Sequence, residues 1–518
     1  MKDVSRTGHA ARNVAGGVIY KFGVALLKLF GRIWFVKILG EVMLGISGLF
    51  TNVLGALSLA EMGIGTAISF SLYRPIAEHN EEKILALMGF FRKAYRIIAL
   101  TVAGAGILIM PLLPKLIRNY QGIEYFYFIY LVFLLNMVID YLFSYKRTLA
   151  VASQEEYTLV PFTMGFETLI CLLQIAVLFL FRGVKTCYLI YLFTQSVCLL
   201  AENIVINRYL GKRYPALNRL KGAPKLPEKE LREIKINVKA LIYHKIGSFA
   251  VTSTDNLLIS GLIDLVIVGH YGNYSTILAT VAGIVYLFVG NLTASFGNLI
   301  AKEDAGRRHE VFREMLFFYY FLYGVASALL LNLFEPFILF SYGENYLLHT
   351  GVVILVVGAN FYLLGIANVL DVVKSAAGLY DLDKWVPLVQ AAVNLILSIV
   401  LGKTIGLAGI FVGTLVSTLV PLTVKPFIVY RNVFNSSPLP FFTELVRETL
   451  LCAFYTAVTF FLCRLLRPLP PLVRFVGGGV LTGAVSVLLF FLFHLRDGRI
   501  KRLWERLKSL IPGRKAAK

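Results

Sequence analysis

Residues 15–38 read AGGVIYKFGVALLKLFGRIWFVKI, and this stretch decides the fold. As a helix its 24 residues reach about 36 Å, more than the roughly 30 Å hydrocarbon core of a bilayer, and only four of them carry charge. Working outward, thirteen further runs of this kind follow, at about 43–73, 88–113, 123–145, 157–181, 186–207, 236–268, 275–300, 313–340, 351–373, 385–402, 405–430, 444–464 and 471–494. The 518-residue chain is 58% hydrophobic and 16% charged, with a mean hydropathy of +0.73. Soluble domains hold about 45–50% apolar and about 25% charged residues. A soluble enzyme, a disordered chain and a fibrous protein are all excluded. The spacing predicts an all-α polytopic membrane protein of about 14 spans. Its first span holds Lys21, Lys28 and Arg32 with no small-residue cleavage pattern behind it, so it does not read as a removable signal peptide.

The net charge of +21 would suggest nucleic acid in a soluble chain, but here the basic residues lie mostly in short loops and report topology instead. With a cytoplasmic N-terminus, the inside segments hold 36 Lys and Arg against 8 outside. That ratio predicts an even number of spans, with N and C termini cytoplasmic; twelve spans satisfy it as well as fourteen. The longest polar stretch, 208–235, carries nine basic residues with Pro215, Pro224 and Pro227. It reads as a basic cytoplasmic linker between a first lobe of six spans (1–207) and a second (236–432). Two extra helices (433–495) and a tail (496–518) follow. A parallel repeat is also legible. Gly40, a turn, a long run and then AEHNE at 77–81 match Gly269, a turn, a long run and AKED at 301–304, at spacings of 37 and 32 residues. In the tail, Ile500, Leu503, Trp504, Leu507, Leu510 and Ile511 alternate with Arg499, Lys501, Arg502, Arg506 and Lys508. Residues 499–511 therefore read as a basic amphipathic helix on the inner leaflet, the alternative being a solvated tail.

Charges inside spans are costly and mark function by default. Lys21, Lys28 and Arg32 fall within about 40° on one helix face. Such a stripe either lines a watery cavity that attracts phosphate or pyrophosphate, or consists of lysines that snorkel or pair with acids such as Glu61. Lys245, Ser248, Thr252 and Asn256 share a face of the seventh span and are candidates for sugar contacts, with helix packing through Ser and Thr as the alternative. The acids Glu61, Asp140, Glu167, Glu202, Asp255, Asp264 and Asp371 lie within runs. Among them Glu61, Asp140 and Asp255 are the first candidates for sodium or proton coupling, or for pairing with a cation. Tyr20, Tyr73, Tyr95 and Tyr286 are candidates for stacking on sugars.

No cofactor, metal site or catalytic constellation is indicated. Asp381-Leu382-Asp383 has the form of a glycosyltransferase DxD but sits in a short loop with no soluble domain beside it, and reads as solvated. The seven histidines form no HExxH, and no P-loop or GxSxG is present. The five cysteines lie in or beside apolar runs without metal spacing and read as buried hydrophobes.

Four patches then carry a resemblance: LSLAEMGIGTAISFSLYRPIAEHNEEKI at 57–84, HKIGSFAVTSTDNLLIS at 244–260, NYSTI at 273–277 and ASFGNLIAKE at 294–303. In family order, these resemble the polysaccharide biosynthesis (oligosaccharide repeat-unit flippase) family of the multidrug/oligosaccharidyl-lipid/polysaccharide (MOP) exporter superfamily. The resemblance implies two six-helix lobes in a V around an often cationic cavity, plus two extra C-terminal helices. It implies a protein of the bacterial cytoplasmic membrane that flips undecaprenyl-pyrophosphate-linked oligosaccharide for capsule, O-antigen or a similar surface polysaccharide by alternating access. Its partners would be the lipid-linked oligosaccharide, membrane lipids, and the polysaccharide polymerase and glycosyltransferases of the pathway, with no nucleic acid. Lys28 and Arg32 occupy the first-span position where related lipid II flippases hold pyrophosphate with arginines; two lysines accompany the single arginine here. The alternatives are an ion-coupled multidrug extruder of the same superfamily, a membrane-embedded polymerase or glycosyltransferase, and a scaffold for the polysaccharide machinery.

Overall fold

A computed structural model describes residues 6–61, 78–117, 122–153, 158–215, 254–289, 303–348, 351–377 and 382–500, with isolated positions between them. Among the described residues every regular element is a helix. In chain order these are α1 (Arg6–Leu57), α2 (Glu81–Ile109), α3 (Phe126–Ala152), α4 (Val160–Leu180), α5 (Cys187–Arg213), α6 (Leu265–Val289), α7 (Ala305–Ser341), α8 (Gly351–Ala376), α9 (Val386–Ile405), α10 (Leu407–Val429), α11 (Leu439–Arg464) and α12 (Pro471–Phe493). Eleven helical segments among the described residues are long and apolar enough to cross a bilayer. The run at 236–268 lies largely outside the described residues.

Which side chains are exposed matches a lipid solvent. Leu108, Leu180, Leu100 and Val480 are 70–78% exposed, while Asn394, Ser398, Ser417, Thr459, Thr482 and Ser486 are fully buried. In water this distribution would be inverted; in a bilayer, small polar residues belong between helices. The five cysteines are free thiols, four of them buried.

α1 is two helices joined at Gly40, whose φ of 83° and ψ of −179° only glycine adopts without strain. The counterpart of this break is not at Gly269, where the sequence suggests a turn, because Gly269 lies inside α6. It is Asp264, in extended conformation, whose carboxylate accepts the Val266 amide at 2.7 Å and caps α6. The helix thus begins about ten residues before the expected 275–300 run. His270 and Asn273 depress hydropathy there without breaking the helix. The other half of the repeat stands: Asn80 caps α2 through the Lys83 amide (3.0 Å), and Asp304 caps α7 through the Arg307 amide (3.1 Å). The pairs Gly40/Asp264, Asn80/Asp304, Phe126/Gly351, Val160/Val386 and Cys187/Leu407 lie 224, 224, 225, 226 and 220 residues apart. The order of the described elements therefore repeats with an offset of about 224 residues.

The described residues divide into two compact units. In the unit Leu26–Gly272, α3 packs on α2 and α5, and α4 on α5. Phe50 sits edge-on to Phe126 (5.1 Å) and Tyr130 (5.2 Å). After the Gly40 break, α1 crosses the start of α6 at backbone distance. A Cβ at Gly45 would lie 2.4 Å from the Leu265 carbonyl oxygen, and one at Gly269 would lie 2.9 Å from that of Glu41. Gly45→Val should therefore force this crossing apart at a cost of several kcal/mol, seen as loss of folded protein in a detergent thermal-stability assay; Gly104→Val, where a Cβ meets nothing, is the control. α5 runs to Arg213, so the first six residues of the 208–235 stretch are helix. There Arg213 and Tyr214 both bind Glu155 (2.9 and 2.6 Å) and hold its carboxyl below the usual range.

The other unit comprises Met1–Ala25 and Asn273–Lys518. In it α10 packs on α8 and α9, and α7 lies against α8, α11 and α12. The extra helices are fixed to α7 by Asn332 Nδ2 to Thr459 Oγ1 (2.9 Å), Arg474 to Glu335 (2.9 Å), and Phe317 on Phe490 (5.2 Å). Gly324 has no side chain because the Tyr455 hydroxyl occupies that space.

Two expectations are corrected in this unit. Asp383 is not solvated: it is 1% exposed and bonded to buried Lys374. Arg499 does not stand on the open basic face expected of the tail. It is buried, paired with Glu444 and Asp497, and stacked 4.7 Å from the Phe317 ring, while Ile500 packs on the core. Residues 501–511 of the expected amphipathic helix lie outside the described residues.

His494 ties α12 to α11. Its Nδ1 lies 2.8 Å from the Phe490 carbonyl and its Nε2 2.9 Å from Glu448 Oε1. Both ring nitrogens face acceptors, which suits the imidazolium. Burial alone would lower its pKa, but the bonds to Glu448 and Phe490 outweigh burial and the nearby Arg447, and raise it. With a folded pKa above the unfolded value of about 6.5, the pair's stabilisation is complete below pH 6.5 and is lost as pH rises through the folded value. Thermal stability should accordingly fall as pH rises above about 6.5, and His494→Gln should remove that slope.

Candidate functional site

The candidate residues come from several helices of the Leu26–Gly272 unit. α1 brings Lys28 and Arg32 one turn apart. Lys28 Nζ meets Glu167 Oε1 of α4 at 3.1 Å, and both side chains stay about half exposed. The partner is thus Glu167 rather than Glu61, and Glu167 is a residue that sequence reasoning noted without singling out. Its signal was there: it is the one charged residue of α4.

Arg32 sits one turn on, over Gly272 of α6, where a Cβ would fall 2.8 Å from Nη2. An aromatic cluster joins α1 to α5. Phe35 is edge-on to Tyr188 (5.5 Å) and Tyr191 (5.3 Å), and the Tyr188 hydroxyl hydrogen-bonds Ser47 Oγ at 2.5 Å. Beyond the break, Glu41 lies 3.2 Å from buried His270 Nε2. Neither this pair nor the tyrosines of α5 were anticipated. Their role depends on contacts between residues more than a hundred positions apart, which periodicity does not carry.

The coupling candidates separate. Glu61 ends the 3₁₀ turn Ser58–Glu61 and accepts the Tyr95 hydroxyl (2.9 Å) and the Gly65 amide (3.1 Å). Asn203, with Glu202, receives Arg147 Nη2 (3.1 and 3.0 Å), and Asp140 lies within the same cluster. Asp255 is buried and lies near the Tyr271 hydroxyl. Asn256 carries a buried Oδ1 without a partner among the described residues. The side chain of Lys21, and Lys245, Ser248 and Thr252, lie outside the described residues.

Chemically, the site offers a guanidinium with five N–H donors, an ion-paired lysine and a wall of hydroxyl-bearing rings. Acids are as frequent as cations, so the described interior is not a uniformly cationic field.

No protein-family model and no curated protein matches the chain. Solved structures do. A lipid II flippase MurJ in an inward closed conformation superposes with a TM-score of 0.70 at 14% identity, covering 93% of this chain and 99% of that one. An inward-facing multidrug resistance MATE family transporter of the MOP superfamily gives 0.60 at 16% identity, over 79% and 94%. The MATE multidrug transporter DinF-BH in complex with R6G gives 0.55 at 14%, over 82% and 96%. At these identities the likeness is one of fold. The chain has the all-α, multi-pass membrane fold shared by these MOP-superfamily transporters.

Proposed function

We propose that the protein is a flippase of lipid-linked oligosaccharide in the bacterial cytoplasmic membrane, moving undecaprenyl-pyrophosphate-linked repeat units for capsule, O-antigen or a similar polysaccharide by alternating access. The observation that carries this reading is the pair of cations one turn apart on the first helix, Lys28 half exposed despite its salt bridge and Arg32 over Gly272, in a chain whose fold matches a lipid II flippase over 93% of its length. In this reading Arg32 forks two pyrophosphate oxygens and Lys28 supplies a point charge by exchanging Glu167 for phosphate. Tyr188 and Tyr191, with the polar face of the seventh span (Lys245, Ser248, Thr252, Asn256), meet the sugars. Proton or sodium coupling falls to Glu61, Asp140 or Asp255. Glu61 is favoured by its place at a helix irregularity, bonded to Tyr95 of a second helix. The polymerase and glycosyltransferases of the pathway are the expected partners.

Reconstitution tests this. Purified protein in liposomes, given a fluorescent polyprenyl-pyrophosphate oligosaccharide, should move it to the opposite leaflet, faster under an imposed proton or sodium gradient. The balance of acids and cations inside the Leu26–Gly272 unit favours a second reading, an ion-coupled multidrug extruder. Efflux of an organic cation with no glycan transfer would establish that one instead.

A further inference from the structure

At the end of the extra helices that the charge bias assigns to the cytoplasm, a cleft of 720 Å³ opens between α11 and α12, lined by Arg447, Leu451, Phe454, Phe493, His494 and Arg496 together with Asp497 and Gly498. Its two ends differ in chemistry. Phe454 and Phe493 stand edge-to-face at 5.7 Å, 48% and 56% exposed, and continue the apolar surface of Leu450 and Leu492. At the other end Arg447 and Arg496 are exposed, with the Arg447 side chain 59% open. The acids nearby are already engaged. Glu448 holds His494 and Arg447, and Asp497 makes four hydrogen bonds to Arg499. Arg447 shares its charge with Glu448 and Arg499 offsets Asp497, so Arg496, without an acidic partner among the described residues, supplies the uncompensated positive charge beside an apolar wall.

The geometry points to this cleft as a binding site for an anionic glycerophospholipid, its phosphate between Arg447 and Arg496 and an acyl chain along Leu451, Phe454 and Phe493. Phosphate oxygens accept from guanidinium N–H groups, and the aromatic wall excludes water beneath them. A free phosphate would use only the rim. A zwitterionic lipid would bring its own cation against two arginines. The site is independent of the transported substrate and stands whichever reading of the transport function holds.

The test uses full-length protein, delipidated in a neutral detergent and free of polyprenyl lipid. Phosphatidylglycerol, phosphatidylcholine or inorganic phosphate is titrated in, with thermal stability and retained lipid by native mass spectrometry as readouts. Phosphatidylglycerol should stabilise and remain bound. Each arginine near an anionic headgroup is worth about a fivefold change in affinity, so Arg496→Gln should weaken phosphatidylglycerol about fivefold and Arg447→Gln/Arg496→Gln about twenty-five-fold, leaving phosphatidylcholine unchanged. Arg496→Gln keeps the test readable if loss of the Arg447–Glu448 contact impairs folding. Equal stabilisation by phosphatidylcholine, equal stabilisation by inorganic phosphate, or unchanged phosphatidylglycerol affinity in Arg496→Gln would each overturn the assignment.

Discussion

Arg32→Ala should reduce lipid-linked oligosaccharide transfer by about ten- to a hundredfold while leaving protein in the membrane. The magnitude follows from the bond that is lost. A hydrogen bond to a charged group contributes about 1.5–3 kcal/mol, and each 1.4 kcal/mol is tenfold. Arg32 carries a guanidinium fork able to grip two pyrophosphate oxygens, and it lies on the first helix over Gly272. Arg32→Lys keeps the charge but not the fork and should fall between wild type and alanine. Lys28 needs a different design, because Lys28→Ala leaves Glu167 of α4 without its counter-charge and mixes loss of the ion pair with loss of substrate grip. Lys28→Ala/Glu167→Ala removes both charges. It should restore protein level and leave transfer low if Lys28 also grips substrate. Wild-type transfer in Arg32→Ala, measured in proteoliposomes at matched protein, would remove the phosphate-gripping role of the first helix. Drug efflux unaffected by the same substitution would point to the extruder.

The sequence carries some of these features openly and hides others for physical reasons. Helix existence follows from 20-residue apolar runs, and the runs at 157–181, 385–402 and 444–464 correspond to α4, α9 and α11. Glycine is ambiguous. Gly40 supplies a positive φ, whereas Gly269 supplies absence of bulk at a helix crossing, and the letter is the same. The repeat consequently emerges in register only when Asp264 is recognised as a cap. Charge is ambiguous in the same way. Lys374 and Lys425 count as cytoplasmic loop charges in the orientation argument, yet both are buried in helices α8 and α10. The cations of the first span were legible as a stripe, but Glu167 lies 139 residues from Lys28, and nothing local joins them.

Those two buried lysines set the second large effect. Asp371 of α8 holds Lys425 of α10 (2.6 and 2.7 Å) and Lys374 one turn on (3.2 Å), and Lys374 in turn binds Asp383 from the segment after α8. The four charges sum to zero, and three of the residues, Lys374, Asp383 and Lys425, are at most 8% exposed. Asp383→Ala leaves a cation in excess where water is largely excluded. Removing one partner of a buried pair costs about 3–5 kcal/mol, so the thermal midpoint of detergent-purified protein should drop by roughly 10 °C. A packed apolar replacement of a buried pair is often neutral, so Lys374→Met/Asp383→Leu should recover most of that loss, and the double-mutant cycle should show strong coupling. The network also ties the segment after α8 to the α8–α10 contact, so these elements should move as one body during transport. Asp383→Ala should then slow transfer beyond its effect on protein amount, and the Met/Leu pair should restore rate together with stability. A midpoint within 1 °C of wild type in Asp383→Ala would mean that Asp371 alone satisfies both lysines, leaving the segment after α8 held by packing.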